Sequence, residues 1–336
     1  IDDGQWIDGA APAATGLTLA GGNVWLTGFT PGADVPITPG VLTPSNLGPG
    51  YTAGGYLSAA NFSAGVNTGP QIACVLDAAN LTHAGAVASF QLLSIFGANL
   101  GPAAGVAPTS GTATSLGGVS VTFAAQPASL LYASASQVNV AVAPPVITTG
   151  PLPSSIVMQM TVNSASLQRQ FPFTAENLNL FANLSQSAPC GGTGLGYLPL
   201  AVNADGSLNS CTNPAKFGTT MSFLVEGIGG VGPQPAVGEA LPDIAAYVGL
   251  CGVAVTNTAA INNFVFEVQL TLPPANLPCA NDYGPVNTTE TNYNFAVFLL
   301  YGGEPVGPFV VPVPNGTPVF NFAPGEPMPM IIWVMP

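Results

Sequence analysis

Apolar and polar residues alternate with a period of two along much of the chain, and that pattern marks strands with one buried face. Val119, Val121 and Phe123 fall on one side of a segment whose other side is Ser120 and Thr122. Val138, Val140 and Val142 alternate with Gln137, Asn139 and Ala141 up to Pro144-Pro145. Ile156, Met158, Met160 and Val162 form another apolar face. The longest example runs from Phe264 to Leu272, where Phe264, Phe266, Val268, Leu270 and Leu272 oppose Val265, Glu267, Gln269 and Thr271. No 3.6-residue stripe persists long enough for a substantial helix. Gly (41) and Pro (34) break the chain into short pieces, a spacing that strands joined by turns tolerate and long helices do not. The pattern predicts an all-β protein built of β-sandwiches. Three segments emerge: residues 1–70, rich in Gly, Ala, Thr and Pro; residues 71–175, with the cleanest alternation; and residues 176–336, with longer loops and four of the five cysteines.

Charge sharpens this picture by exclusion. Only Arg169 and Lys216 carry a permanent positive charge, against 15 acids, for a formal net charge of −13. Nucleic acid, phosphate and anionic membrane surfaces are held by clustered Lys and Arg, which two isolated bases cannot form. His83 is the single histidine, so most acid–base and nucleophilic chemistry lacks its usual groups. Although 48% of residues are hydrophobic, no apolar run nears the roughly 20 residues of a spanning helix. The apolar residues are therefore expected inside packed sheets, beneath a surface of Thr, Ser, Asn and Gln. Neither an enzyme nor a cofactor is expected.

Cys74, Cys190, Cys211, Cys251 and Cys279 show no CxxC spacing, which argues against zinc and for disulfides in an oxidising compartment. Proximity in sequence suggests Cys190 with Cys211 and Cys251 with Cys279, leaving Cys74 as a buried thiol or a bridge to another chain. Asn61, Asn80, Asn183, Asn287 and Asn315 stand in N-x-S/T sequons, candidate glycosylation sites. The start at Ile1, without Met or a signal-like segment, reads as processing or truncation.

Two resemblances add to the pattern. The strings PQIACVLDAANLTHAGAVASFQLLSIFGANLGP and LGGVSVTFAAQPASLLYASASQVNVAV, followed by AVNADGSLNSCTNPAKFGTTMSFLVEGIG, resemble a C-terminal domain family of large secreted bacterial proteins. That family is similar to the immunoglobulin-like IPT/TIG fold. The resemblance runs from about Pro70 to Gly232 and implies tandem immunoglobulin-like β-sandwich domains, secretion and no catalytic residues. Upstream, LTLAGGNVWLTGFTPGADVPITPGVL and GGYLSAANFS look like one bacterial β-propeller repeat of the SBBP type. A lone blade-like segment must find cover elsewhere, because propellers are closed by several blades.

Several constellations could carry chemistry. Gly227, Gly229 and Gly232 match GxGxxG, but Pro233 and Pro235 follow where a dinucleotide site needs a helix, so a sandwich turn is expected. Asn203, Asp205, Ser207 and Asn209 place oxygens at alternate positions around Asp205-Gly206, a weak calcium candidate set against an Asp-Gly hairpin turn. His83 near Asp77, and Glu226 near Glu239 and Asp243, are the other titratable groupings, each read as loop residues. Trp25 is read as core. Met330, Ile331, Ile332, Trp333 and Val334 form a terminal strand apolar on both faces, which must be enclosed. It is expected either within its own domain or, by strand addition, in a neighbouring subunit.

The leading expectation is an extracellular or cell-surface structural protein that self-assembles, a filament, pilus-like or sheath subunit exchanging β-strands with itself. The alternative is an adhesion or polysaccharide-binding module of a larger secreted propeller protein. A durable extracellular chain gains from offering trypsin-like proteases only Arg169 and Lys216.

Overall fold

The computed structural model describes residues 13–21, 23–30, 54–60, 69–81, 84–147, 150–183, 199–229, 236–238, 244–248, 251–274, 293–301, 304–306 and 330–335. All regular structure among them is strand, and the sheets stack as sandwiches. No helix among the described residues is long and apolar enough to cross a membrane. The chain divides into two compact units, one formed chiefly by Ile1–Asn177 and the other by Leu178–Ile228, Gly232–Phe322 and Glu326–Pro336.

The N-terminal segment is an antiparallel meander of β1 (Ala13–Ala20), β2 (Asn23–Thr30) and β3 (Gly54–Ala60). It has three described strands, whereas a propeller blade has four. Leu17 and Leu19, two apart on β1 and therefore on one face, are 68% and 76% exposed.

The rest of the first unit contains eight strands. They are β4 (Gln71–Asp77), β5 (Leu92–Ala98), β6 (Val119–Phe123), β7 (Gln126–Pro127), β8 (Ser129–Ala133), β9 (Gln137–Ala141), β10 (Ser155–Val162) and β11 (Ala165–Pro172). One sheet runs β4-β5-β9-β8 and the other β11-β10-β6-β7. Taken in chain order, that is the strand order of an immunoglobulin-type sandwich: ABED on one side, GFC with an added short strand on the other. The alternation read from the sequence faces inward. Val119, Val121 and Phe123 are buried while Ser120 and Thr122 lie partly open, and Ile156, Met158, Met160 and Val162 are buried along β10. Opposite them lie Leu93, Ile95, Val138 and Val140 from the other sheet. Each large side chain buried in this way contributes about 1.5–3 kcal/mol.

Two tight hairpins set the register. Phe123 pairs with Gln126, and Ala124 and Ala125 between them both have positive φ (45° and 63°). Val162 pairs with Ala165, with Asn163 and Ser164 at φ 46° and 77°. Paired positive φ values give the turn whose twist matches the flanking strands.

Polar groups close the edges of this sandwich. A bulge in β4 between Ile72 and Cys74 interrupts the ladder with β5. Arg169 of β11, 7% exposed, donates to the Ile72 carbonyl at 3.0 Å and to its neighbour Gln168 at 2.9 Å. A side chain of one sheet thus serves a carbonyl of the other. Nearby, Val87 makes a parallel bridge to Phe173, its N–H donating to Pro172 and its carbonyl accepting from Thr174, both at 3.0 Å.

The second unit contains β12 (Asn179–Leu180), β13 (Ala201–Val202), β14 (Ala215–Lys216), β15 (Thr220–Glu226), β16 (Ile244–Val248), β17 (Cys251–Val253), β18 (Val255–Ala260), β19 (Phe266–Thr271), β20 (Tyr293–Tyr301), β21 (Glu304–Val306) and β22 (Met330–Met335). One sheet runs β12-β15-β19-β18, with β13 also on β15; the other runs β14-β22-β20-β16-β17, with β21 also on β20. Met221, Phe223, Val225, Phe266, Val268 and Leu270 meet Ala246, Val248, Ile332 and Val334 in the core. The strand expected over Phe264–Leu272 is shorter, Phe266–Thr271. The Asn262 side chain accepts from the amides of Phe264 (2.8 Å) and Val265 (2.9 Å), so those residues form a turn instead of a ladder.

Candidate functional site

The densest polar constellation is the loop after β13. Asn203 donates its backbone N–H to Ser207 at 2.8 Å, and Gly206, at φ 83°, donates to the Asn203 carbonyl at 2.9 Å. Asp205 Oδ1 accepts from the Ser207 amide at 3.0 Å and from the Ser207 hydroxyl. Asn203 Oδ1 accepts from Asn209 Nδ2 at 3.0 Å, and Asn213 Nδ2 donates to Ser207 Oγ at 2.6 Å and to the Leu208 carbonyl at 2.9 Å. The four residues weighed for calcium are therefore brought together, but their side chains bond to one another within a turn. A single carboxylate remains, and no group of three or more His, Cys, Asp or Glu able to hold a metal occurs among the described residues. The Asp-Gly turn accounts for the cluster. Asn213 belongs to it and was missed in the sequence, because it lies outside the alternating spacing.

Backbone conformation describes the first two glycines of the motif. Gly227 and Gly229 have φ of 78° and 68°, and a Cβ on Gly229 would stand 1.8 Å from the Ala175 carbonyl. Only glycine fits this turn. Residues 230–235 lie outside the described residues.

Of the other titratable groups singled out in the sequence, Asp77 and Glu226 are described, and both are buried. Asp77 is buried, accepting from the Ala79 amide at 2.9 Å and from Gln91 Nε2 at 2.8 Å. Gln91 Oε1 in turn accepts from the Ala88 amide at 2.9 Å and from Asn177 at 3.2 Å. Glu226 corrects the loop expectation: it ends β15 opposite Asn179 and is fully buried. His83, Glu239 and Asp243 lie outside the described residues. Of the two basic residues, Arg169 is buried in a strand. The Lys216–Phe217 peptide is also engaged, its N–H donating to Met335 at 3.1 Å.

The terminal strand is enclosed within its own chain. β22 pairs antiparallel with β20 from Tyr293↔Val334 to Val297↔Met330, and parallel with β14 at Ala215↔Val334 and Lys216↔Met335. Ile332 and Val334 are fully buried; the side chains of Met330, Ile331 and Trp333 lie outside the described residues. Cys211 is disulfide-bonded and Cys74 is a buried thiol. Cys190 and Cys279 lie outside the described residues, and Cys251 is described only as backbone, opening β17. Of the sequon asparagines, Asn80 and Asn183 are buried, 1% and 7% exposed, and the Thr82 and Ser185 that complete their sequons lie outside the described residues. Asn61, Asn287 and Asn315 lie outside the described residues.

No protein-family model matches the chain, and no curated protein sequence matches it. The expected likeness to IPT/TIG domains and to a propeller repeat thus has no family match behind it. Among solved structures, the chain is similar to FdeC, described as a broadly conserved Escherichia coli adhesin eliciting protection against urinary tract infections. The comparison covers 98% of this chain and 83% of that one at 12% identity and a TM-score of 0.22. At that score the two chains do not superpose as one fold, and the likeness carries no functional argument.

The turn makes one solution prediction. The Ser207 hydroxyl and then its backbone N–H hold the Asp205 carboxyl below its ordinary value. Any stabilisation from this contact is present above the unfolded carboxylate pKa, about 3.9, and is lost as pH falls through the lower folded value. An NMR titration is expected to show Asp205 titrating below about 3.9 and Ser207→Ala moving it upward. An unchanged titration in the variant contradicts the assignment.

Proposed function

We propose that the chain is an extracellular, non-catalytic adhesion or polysaccharide-binding module built from immunoglobulin-like sandwiches. The observation that carries this reading is the placement of its few ionisable groups. Arg169 is buried and Lys216 is the one other base, so no cluster of bases is left for recognition, and the formal net charge of −13 sets the chain against anionic partners. The bonded state of Cys211 fits an oxidising compartment. A surface of amides and hydroxyls without clustered bases suits uncharged sugar better than phosphate or nucleic acid. The finer likeness to IPT/TIG domains, with an SBBP-type repeat ahead of them, belongs to the same reading.

The distinguishing test is salt dependence. Binding of the purified chain to cells or to arrayed polysaccharides is expected to change less than about twofold between 50 and 500 mM NaCl, because screening acts on exposed charges. A tenfold or greater loss over that range contradicts recognition through uncharged groups.

A second reading, a self-assembling filament or sheath subunit exchanging β22, is favoured by one feature. β22 completes a sheet whose other strands come from residues 215–306, so the same slot suits an identical strand from a second copy. This reading expects concentration-dependent oligomers in light scattering and filaments by negative stain. A strict monomer at high concentration contradicts it.

A further inference from the structure

The register of the last strands holds information beyond their pairing. On β20, Val297 is paired on one side with Val248 and on the other with Met330; Leu299 is paired with Ala246 and with Val306. β16 therefore occupies one edge of β20, and β21 and β22 both occupy the other. Both run antiparallel to β20, end to end. Val306 stands opposite Leu299 and Met330 opposite Val297, so a single position, Phe298, separates the two pairings. The chain nevertheless places residues 307–329 between them. If residues 307–328 are removed, Pro329 follows Val306 and falls opposite Phe298, and every β22 pairing keeps its place.

Two physical checks agree with that join. After the join Met330 stays opposite Val297, two positions on from Val306 opposite Leu299, so Ile332 and Val334 keep the inward positions they hold now. Proline fits a ladder only where its nitrogen faces away from the partner strand. Pro305 already occupies such a position opposite Leu300, and the joined Pro329 sits two residues on, in the same orientation.

The opposite sheet repeats the arrangement. β15 carries β19 on one edge, and on the other edge first β12, with Leu180 opposite Val225, and then β13, with Ala201 opposite Phe223. Between them Phe181 donates to Leu224 at 2.9 Å. An Ala182↔Pro199 bridge brings the ends of the intervening segment together. Without residues 182–200, Phe181 leads directly into Ala201 in register.

We propose that β21 and β22 are two halves of one strand, that β12 and β13 are two halves of another, and that each strand is complete without the residues between its halves, 307–328 and 182–200. Closure entropy rises only slowly with loop length, so a sheet tolerates such excursions once its two half-strands are held by their neighbours. Connections of this length are otherwise uncommon within compact domains.

The test compares three variants of the full chain. Deleting residues 307–328 is expected to leave a cooperative unfolding transition within a few degrees of the parent, with slow amide exchange retained over Tyr293–Tyr301. Deleting only residues 307–327 shifts β22 by one residue and turns Ile332 and Val334 off the core, so it is expected to lower the midpoint by well over ten degrees or to abolish folding. Replacing residues 307–328 by Gly and Ser at equal length decides the case in which the direct join fails: retained protection in β20 supports an insertion. Equal stability of the two deletions overturns the proposal. So does loss of β20 protection in both the direct join and the replacement.

Discussion

The first sandwich closes around a buried cation. Its two sheets are bonded internally by their ladders, but the gap between their edges is not, and the bulge in β4 turns the Ile72 carbonyl toward that gap. Arg169 reaches it from β11 at 3.0 Å. A buried carbonyl without a donor costs about 1–3 kcal/mol, a large share of the stability of an ordinary domain. With almost no other cations available, the chain closes its remaining polar gaps with neutral groups: Gln91 and Asn177 around Asp77, Asn203 and Asn213 around Ser207, and Asn262 at the start of β19. The shortage of bases is therefore a structural condition before it is a functional one.

This explains what the sequence could and could not reveal. Alternation over Val119–Phe123 and Ile156–Val162 was legible because each strand has one neighbouring core and one open side, and burial follows the period of two without interruption. The terminal strand was legible as enclosed, since Met330 to Val334 is apolar on both faces, and Ile332 and Val334 are buried. Its neighbours were not, because pairing with Ala215 and Tyr293 depends on contacts distant in sequence. Arg169 and Glu226 misled for a related reason. A charged residue in a polar-looking stretch reads as solvated, and only the fold shows which carbonyls or strand ends surround it.

The candidate site was legible in part. Asp205-Gly206 announces a turn by composition, whereas the mutual bonding of Asn203, Ser207, Asn209 and Asn213 requires the loop to fold back on itself. The split strands of the second unit were invisible to pattern reading. Two half-strands separated by a long segment look like independent elements until their shared partner places them on one ladder.

The central claim is that Arg169 holds the first sandwich together from inside instead of facing a ligand, and Arg169→Met tests it most directly. Methionine keeps much of the side-chain volume but cannot donate to Ile72. Denaturant unfolding with native-state amide exchange on the full chain is expected to show a loss of about 1–3 kcal/mol. Exchange should accelerate in β4 and β11 together, although they belong to different sheets. Unchanged stability, or acceleration confined to β11, contradicts the account.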